Sequence, residues 1–151
     1  MARATGRAAS RGEIETLIRL QASSALDYTI AIPGEHYGGL TNQELFDILA
    51  DQGRDFAANT PTLRKFVRSE LSAQLARSPR LPTMEELNRM TAELILVWVL
   101  KRMDGKVRDV RIRALTERYA REKYRAGYRT PIGTRTGALR EAVADATVTV
   151  E

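Results

Sequence analysis

Apolar residues recur every three or four positions along several segments of this chain, a spacing typical of helices that bury one face. The pattern predicts a helix over 12–26, a second from Thr41 to near Gly53, and a third from Thr60 until Ser78-Pro-Arg-Leu-Pro82 breaks it. A long fourth helix runs from Thr83 to Asp104, and a fifth runs over 107–124. Two short segments, 28–32 and 147–150, alternate with period two instead, as strands do. We therefore expect an α+β fold with several helices packed on a small sheet and a C-terminal strand.

Several helix ends carry recognisable signals. Thr41-Asn-Gln-Glu44 and Thr83-Met-Glu-Glu86 fit capping boxes, in which the two side chains satisfy each other's free backbone N–H groups. Thr60-Pro61 places a threonine N-cap before a proline at the first helical position. Asp104-Gly105 is a plausible stop for the long helix.

The apolar residues of each helix predict which face is buried. The expected core positions are, for the helix after Thr41, Leu45, Ile48 and Leu49, and for the helix after Thr60, Leu63, Phe66, Val67, Leu71 and Leu75. In the long helix, residues 93–100 are apolar nearly all round, which indicates a central or interface-buried helix that includes Trp98. Trp98 is accordingly both a core candidate and an interface candidate.

The last twenty residues, 131–150, are the most informative segment. A turn over 133–137 precedes a short helix, for which Thr136 is the expected N-cap, and the chain then ends in an alternating strand. A terminal strand needs a partner, because its backbone N–H and C=O groups must be hydrogen-bonded somewhere. The partner strand can belong to the same subunit or to a neighbour, and the sequence leaves both open. The segment carries no group suited to nucleophilic or acid–base chemistry, which favours a docking role.

Length and composition narrow the class of protein. The 151 residues predict one α+β domain over 12–151, preceded by a flexible basic arm over 1–11 that does not resemble a secretory signal. The absence of cysteine excludes disulfides and thiolate metal sites. The most apolar run, over 94–100, is far shorter than the roughly 20 residues that span a bilayer, so no membrane partner is expected.

Charge is unevenly distributed along the chain. The net charge is +5, but residues 101–140 have a balance of +9 and residues 12–100 a balance of −4. Such separation favours an acidic partner, either nucleic acid or the acidic face of another subunit, while a merely solvated helix face is the simpler interpretation. For nucleic acid, the candidate phosphate contacts are Arg111, Arg118, Arg121, Lys123 and Arg125. A small basic nucleic-acid-binding module is therefore the alternative function.

No constellation in the sequence predicts catalysis. His36 is the only histidine, and a lone histidine without cysteine cannot build a zinc site. Glu35 lies beside it, yet no serine or cysteine nucleophile has a matching context. The glycine-containing turn 133–137 lacks the lysine and spacing of a phosphate-binding loop. We therefore expect no enzyme activity, no catalytic residue, no metal and no cofactor.

Three stretches resemble the tail-completion and neck proteins of tailed bacteriophages, the group that includes tail terminators and virion morphogenesis proteins. The first is the strand Thr29-Ile-Ala-Ile-Pro-Gly34 with the glycine loop and helix that follow, through Ala50. The second is Thr60-Pro-Thr-Leu-Arg-Lys-Phe66. The third is the segment 131–150, in which Thr136-Gly-Ala-Leu-Arg140 is the most specific match. Together they cover most of the chain, from about residue 28 to its end.

The resemblance implies a non-enzymatic virion protein of the head–tail junction, assembled in the host cytoplasm. It implies a homo-oligomeric ring, a hexamer in many members, that completes the tail and joins it to the head. The partners would be the tail tube protein and the connector or stopper proteins, with DNA passing through the lumen. The layer of the neck that it occupies stays open. The expected interface elements are the loop 34–40, the turn 133–137 and the terminal strand, with the candidate residues His36, Tyr37, Trp98, Thr136, Gly137, Leu139, Val148 and Val150.

Overall fold

A computed structural model describes residues 11–13, 15–16, 26–77, 80–107 and 137–151. In chain order, the described elements are strand β1 (Tyr28–Ala31), a single 3₁₀ turn (Tyr37–Gly39), helices α1 (Asn42–Asp51), α2 (Pro61–Ala76), α3 (Met84–Met103) and α4 (Ala138–Ala144), and strand β2 (Thr147–Val150). The predicted α+β class with a C-terminal strand is confirmed. The predicted helix over 107–124 and most of the turn 133–137 lie outside the described residues.

The two strands form one antiparallel sheet within the chain. Its register is marked by the Glu151 amide, which donates to the Asp27 carbonyl at 3.1 Å. In each strand every second residue is half-buried, and Val148 and Val150 are among these. The residues between them, such as Thr149, are exposed. The terminal strand thus finds its partner in its own subunit, which answers the question that the sequence left open.

The predicted starts of α1, α2 and α3 are confirmed in atomic detail. In α1, the Glu44 amide donates to the Thr41 hydroxyl at 3.0 Å and the Thr41 amide donates to the Glu44 carboxylate at 3.1 Å. The same reciprocal pair joins Thr83 and Glu86 before α3. Thr60 caps α2 through the Leu63 amide, with proline at the first helical position.

Two helices end as the glycines predict. After α3, the Gly105 amide donates to the Arg102 carbonyl and the Lys106 amide donates to the Lys101 carbonyl, which is the paired bonding of a Schellman motif. Gly105 has φ 71°, a left-handed conformation that favours glycine. Gly53 ends α1 by the same arrangement.

The N-terminal predictions need two corrections. Arg11 is helical and pairs with Glu15 across one turn, so it belongs to the helix rather than to the arm. Leu26 is buried but not helical, so it does not belong to the helix that the sequence predicts over 12–26. Its carbonyl accepts a hydrogen bond from the Asn59 side-chain amide, which holds the chain in a non-helical path just before β1.

The core follows the predicted stripes closely in α2 and less closely in α1. Leu63, Val67, Leu71 and Leu75 are buried along α2, and Phe66 is half-buried. In α1, however, Phe46 and Leu49 are buried, Leu45 is half-buried, and Ile48 is 39% exposed. The prediction for Ile48 was wrong because α1 buries Phe46, whose ring lies near Phe56 with centroids 6.2 Å apart, and a residue two positions further along lies on the opposite side of a helix.

The chain divides into two compact units that are each discontinuous in sequence. One comprises Met1–Thr29, Asn59–Ile95 and Val148–Glu151, and the other comprises Ile30–Ala58 and Leu96–Thr147. Helix α3 therefore contributes its first part to one unit and its last part to the other. The single domain expected over 12–151 stays a prediction. Among the described helices, none is long and apolar enough to cross a membrane.

Candidate assembly surface

The glycine loop, residues 34–40, is closed at its base by backbone hydrogen bonds. The His36 amide donates to the Leu40 carbonyl at 2.7 Å, and the Asn42 amide donates to the Gly34 carbonyl at 3.1 Å. Glu35 and Thr41 form an antiparallel bridge between the two sides of the loop. The loop is therefore a closed, hairpin-like projection between β1 and α1.

The first turn of α1 holds this loop and the end of β1 in place. The Asn42 side-chain amide donates to the Pro33 carbonyl at 2.9 Å, and the Gln43 side-chain oxygen accepts from the Ile32 amide at 2.8 Å. Asn42 is only 7% exposed, so its hydrogen bond is largely shielded from water. With Thr41 and Glu44 occupied in the capping box, all four side chains of Thr41-Asn-Gln-Glu44 bond to backbone. The motif thus anchors the glycine loop.

The tip of the loop is exposed and is shaped by glycine. Gly38 and Gly39 have φ values of 76° and 80°, in the left-handed region, and a Cβ at either position would meet nothing within 4 Å. Gly34 also has a positive φ, of 89°, but its Cβ would lie 3.0 Å from the Asn42 side-chain nitrogen. Glycine is therefore needed at the base for space and conformation, and at the tip for conformation alone.

His36 and Tyr37, two of the predicted interface residues, lie in this loop. His36 is half-buried and precedes the 3₁₀ turn, which Tyr37 begins. No group of three His, Asp or Glu side chains suited to a metal occurs in the described parts of the chain. The placement of His36 at the base of an exposed loop is compatible with an interface.

Gly137, rather than Thr136, is the N-cap of α4, which corrects the predicted cap. Gly137 is buried and has φ 82°, and it provides no side-chain capping bond. Thr136 itself lies outside the described residues. Leu139 and Val143 on α4 are buried, and α4 packs against α1. Leu139, an interface candidate, is only 4% exposed. Its side chain therefore packs in the core of this subunit.

Arg140 has a structural role that sequence reasoning missed. Its Nε and Nη2 atoms each donate to one carboxylate oxygen of Asp104 at 3.1 Å, so the pair is bidentate. This hydrogen bonding, together with the negative charge, raises the pKa of the Arg140 guanidinium above its usual value. The pair ties α4 to the residue that follows α3. The sequence motif Thr136-Gly-Ala-Leu-Arg140 contains the arginine, but it does not indicate that Asp104 is the partner.

Trp98, predicted as a core or interface residue, is 6% exposed and lies in the core. The Arg102 guanidinium carbon lies 5.5 Å from the centre of its ring, a cation–π geometry. Arg102 is itself 3% exposed and donates to the Phe56 carbonyl at 2.6 Å. The indole thus helps to stabilise a buried arginine, and little of it is left for a partner to contact.

The predicted interface residues are divided between the two compact units. The unit formed by Ile30–Ala58 and Leu96–Thr147 contains the glycine loop, Trp98, Gly137 and Leu139, whereas Val148 and Val150 belong to the other unit. The candidate phosphate contacts Arg111, Arg118, Arg121, Lys123 and Arg125 all lie outside the described residues. Comparisons with protein-family models, with curated proteins and with solved structures gave no match to this chain.

Proposed function

We propose that this protein is a structural, non-enzymatic subunit of the head–tail junction of a tailed bacteriophage. It would form a homo-oligomeric ring that completes the tail and joins it to the head connector, with DNA passing through the lumen. One observation carries the proposal. The stretches that resemble the family include two short elements that are fixed by specific bonds: the glycine loop is held by the adjoining first turn of α1, and α4 is held by the distant Asp104.

The glycine loop is the clearest of these elements. Its base is held by Asn42 and by the bridge between Glu35 and Thr41, while Gly38 and Gly39 at its tip are exposed. A projection that is closed before it meets a partner loses little conformational entropy on binding. This property suits a contact that must form identically between every pair of subunits in a ring.

The C-terminal segment supports the same proposal. The Arg140–Asp104 pair fixes α4, and β2 follows directly and pairs with β1. No third strand lies beside either strand in the described parts of the chain. A strand with an open edge is a ready template for pairing with another chain.

The separation of charge along the sequence fits a head-to-tail ring. Such a ring requires two different, complementary patches on each subunit. A balance of −4 over 12–100 and of +9 over 101–140 supplies opposite signs in separate segments. Patches of opposite charge also attract each other during association and fix the orientation in which two subunits meet.

The decisive experiment measures assembly directly. Size-exclusion chromatography with light scattering would be run on the protein alone and mixed with the tail tube protein, and negative-stain electron microscopy would be applied to any assembled fraction. We expect rings in at least one of the two samples. A monomer in both would overturn the proposal.

Matched glycine variants test whether the loop tip takes part. Gly38→Asn adds a side chain at the tip, where the Cβ has open space and asparagine tolerates a positive φ. We expect at least a tenfold loss of ring formation with an unchanged circular dichroism spectrum. Gly12→Asn is the control, because Gly12 is exposed and has equally open space for a Cβ but lies in neither the glycine loop nor the basic segment 101–140. Equal assembly of both variants would remove the loop from the interface.

A nucleic-acid-binding module is the second candidate, favoured by the balance of +9 over residues 101–140. Phosphate contacts release counterions, so affinity for DNA or RNA should fall steeply as salt rises. Titration of a fluorescent duplex and of a single strand at several salt concentrations measures this slope. A flat dependence, or no binding at low salt, would dispose of this candidate.

A further inference from the structure

Helix α3 has two contrasting sides in its apolar middle part. The side that carries Ile95 and Val99 is fully buried. On the opposite side, Val97 is 42% exposed, and Leu96 and Leu100 are half-buried. Leu100 lies three positions beyond Val97 and four beyond Leu96, which is the spacing of neighbouring side chains on a helix. The three therefore form one apolar patch, which we call the α3 patch.

Charged side chains flank the α3 patch in a regular order. Glu93 lies four residues before Val97 and is exposed, and Lys101 lies four residues after Val97 and is half-buried. Arg89, a further four residues before Glu93, is also exposed. Side chains that are four positions apart form one row along the surface of a continuous helix. Along this row the order is positive, negative, apolar and positive.

We infer that the α3 patch is an interface between two copies of this chain, packed antiparallel about a two-fold axis beside Val97. Rows of side chains four positions apart interdigitate in the commonest class of helix packing. About such an axis, Glu93 of each copy lies beside Lys101 of the other, because both residues are equally far from Val97 along the helix. The two Val97 side chains meet at the centre.

The charges favour a second copy over other occupants. The row is complementary to itself when it is reversed, whereas parallel packing in register would set Glu93 against Glu93. An apolar centre with a charged rim is also the composition of a protein–protein interface. Nucleic acid does not suit this surface, because its phosphates would repel Glu93 and would leave the apolar patch exposed to water.

This contact goes beyond the proposed function. A two-fold contact is isologous, whereas the contacts within a ring are head-to-tail, so each can form without the other. Burial of the α3 patch supplies the stabilisation, and the two symmetric ion pairs fix the orientation. One face of one helix is a small interface, so we expect a weak dimer that is populated at high protein concentration.

A matched pair of variants tests the apolar centre. Val97→Glu brings two carboxylates together at the two-fold axis, so we expect dimerisation to weaken by about tenfold or more, measured by sedimentation velocity. Ile48→Glu is the control, because Ile48 is 39% exposed, close to the 42% of Val97, but lies on α1. Circular dichroism checks that both variants keep their helix content. Equal dimerisation of the two variants would contradict the inference.

Charge reversal followed by mixing tests the antiparallel arrangement. Glu93→Lys alone sets like charges against each other in both ion pairs, and Lys101→Glu alone does the same. We expect each variant by itself to dimerise more weakly than the wild type by about tenfold or more. An equimolar mixture of the two variants restores opposite charges in both pairs, so dimerisation should recover. A general loss of helix stability would not be rescued by mixing.

The outcomes separate this inference from the proposed function. A wild-type dimer that is weakened by Val97→Glu but not by Ile48→Glu, and that recovers in the mixture, supports the inference whether or not rings form. A wild type that is monomeric at high concentration, or whose oligomers are unaffected by Val97→Glu, overturns it and leaves the ring proposal to its own test. Failure of the mixture to recover the dimer also overturns it.

Discussion

At the scale of single residues, two arginines form hydrogen bonds to residues that are far away in the sequence. Arg140 bonds to Asp104 through two parallel hydrogen bonds, and both side chains are about three-quarters buried. Arg102 is almost fully buried, and its guanidinium lies between the Trp98 ring and the Phe56 carbonyl. The guanidinium suits both places, because it is planar, stays charged and presents several donors in a fixed geometry.

Removal of the Arg140 charge should weaken the fold measurably. We expect Arg140→Met to lower the free energy of unfolding by about 1.5 kcal/mol, between the value of an exposed pair and that of a shielded charged hydrogen bond. Urea unfolding followed by circular dichroism measures this. Arg68→Met, at an exposed position on α2, is the control and should change little. If Asp104→Asn adds its full cost on top of Arg140→Met, the two residues are not coupled.

The Glu86 carboxylate should contribute an acid-dependent part of stability. Its hydrogen bonds from the Thr83 amide and hydroxyl lower the pKa of Glu86 below its usual value of 4.5. A lowered folded-state pKa gives stability that is present above pH 4.5 and is lost as the pH falls through the folded value. Glu86→Gln should therefore lower the melting temperature at pH 7, and this difference should shrink towards pH 3.

The control for this pH dependence is Glu85→Gln, because Glu85 lies in the same first turn of α3 but outside the capping box. Thermal melts of both variants and of the wild type at several pH values supply the comparison. An identical pH profile for the two variants would show that the helix terminus in general, and not the Thr83–Glu86 pair, is responsible.

At the scale of elements, the first turn of α1 organises its surroundings. Its four consecutive polar side chains cap the helix, hold the Pro33 carbonyl and satisfy the Ile32 amide. The loop that precedes the helix is therefore as well defined as the helix itself. Its base depends on the close approach of Gly34 to the Asn42 side chain.

A side chain at Gly34 should disturb this element more than one at the loop tip. Gly34→Ala imposes a positive φ on alanine and a 3.0 Å contact with the Asn42 nitrogen, so we expect a loss of about 2 kcal/mol in unfolding free energy. Gly38→Ala meets the same type of backbone cost without the contact and should lose about 1 kcal/mol. Urea unfolding of both variants gives the comparison. A larger loss for Gly38→Ala would contradict the proposed role of the base.

At the scale of the whole molecule, the last strand completes a sheet whose other strand lies far earlier in the sequence. Strand β2 pairs with β1, and the Glu151 amide bonds to the Asp27 carbonyl. A two-stranded sheet is marginal by itself, so each strand depends on its pairing with the other. Removal of the last five residues should therefore destabilise the backbone near residue 28.

Truncation after Ala146 tests this dependence. We expect the β1 amides that bond to β2 to lose their protection from hydrogen exchange, measured by nuclear magnetic resonance. The Ile32 amide, which donates to Gln43 rather than to β2, is an internal control and should stay protected. Unchanged protection across Tyr28–Ala31 would mean that the sheet contributes little to the order of β1.

The helix boundaries could be predicted from the sequence because the interactions that set them are local. Thr41, Thr60 and Thr83 each bond to an amide three residues ahead, so a short motif contains both partners. The ends at Gly53 and Gly105 follow from glycine's access to positive φ. The buried stripe of α2 could also be predicted from the sequence, because the spacing of its apolar residues is a local property.

Only the tertiary structure decided the partner of β2, the pairing of Arg140 with Asp104, and the exposure of Ile48. These depend on residues far apart in sequence, such as Asp104 and Arg140 with a separation of 36, and no local spacing encodes which pair will meet. The sequence by itself determined where α1, α2 and α3 begin and where α1 and α3 end. The packing of Phe46 near Phe56 and the return of the chain end to β1 determined which faces are buried, because burial depends on contacts between distant segments.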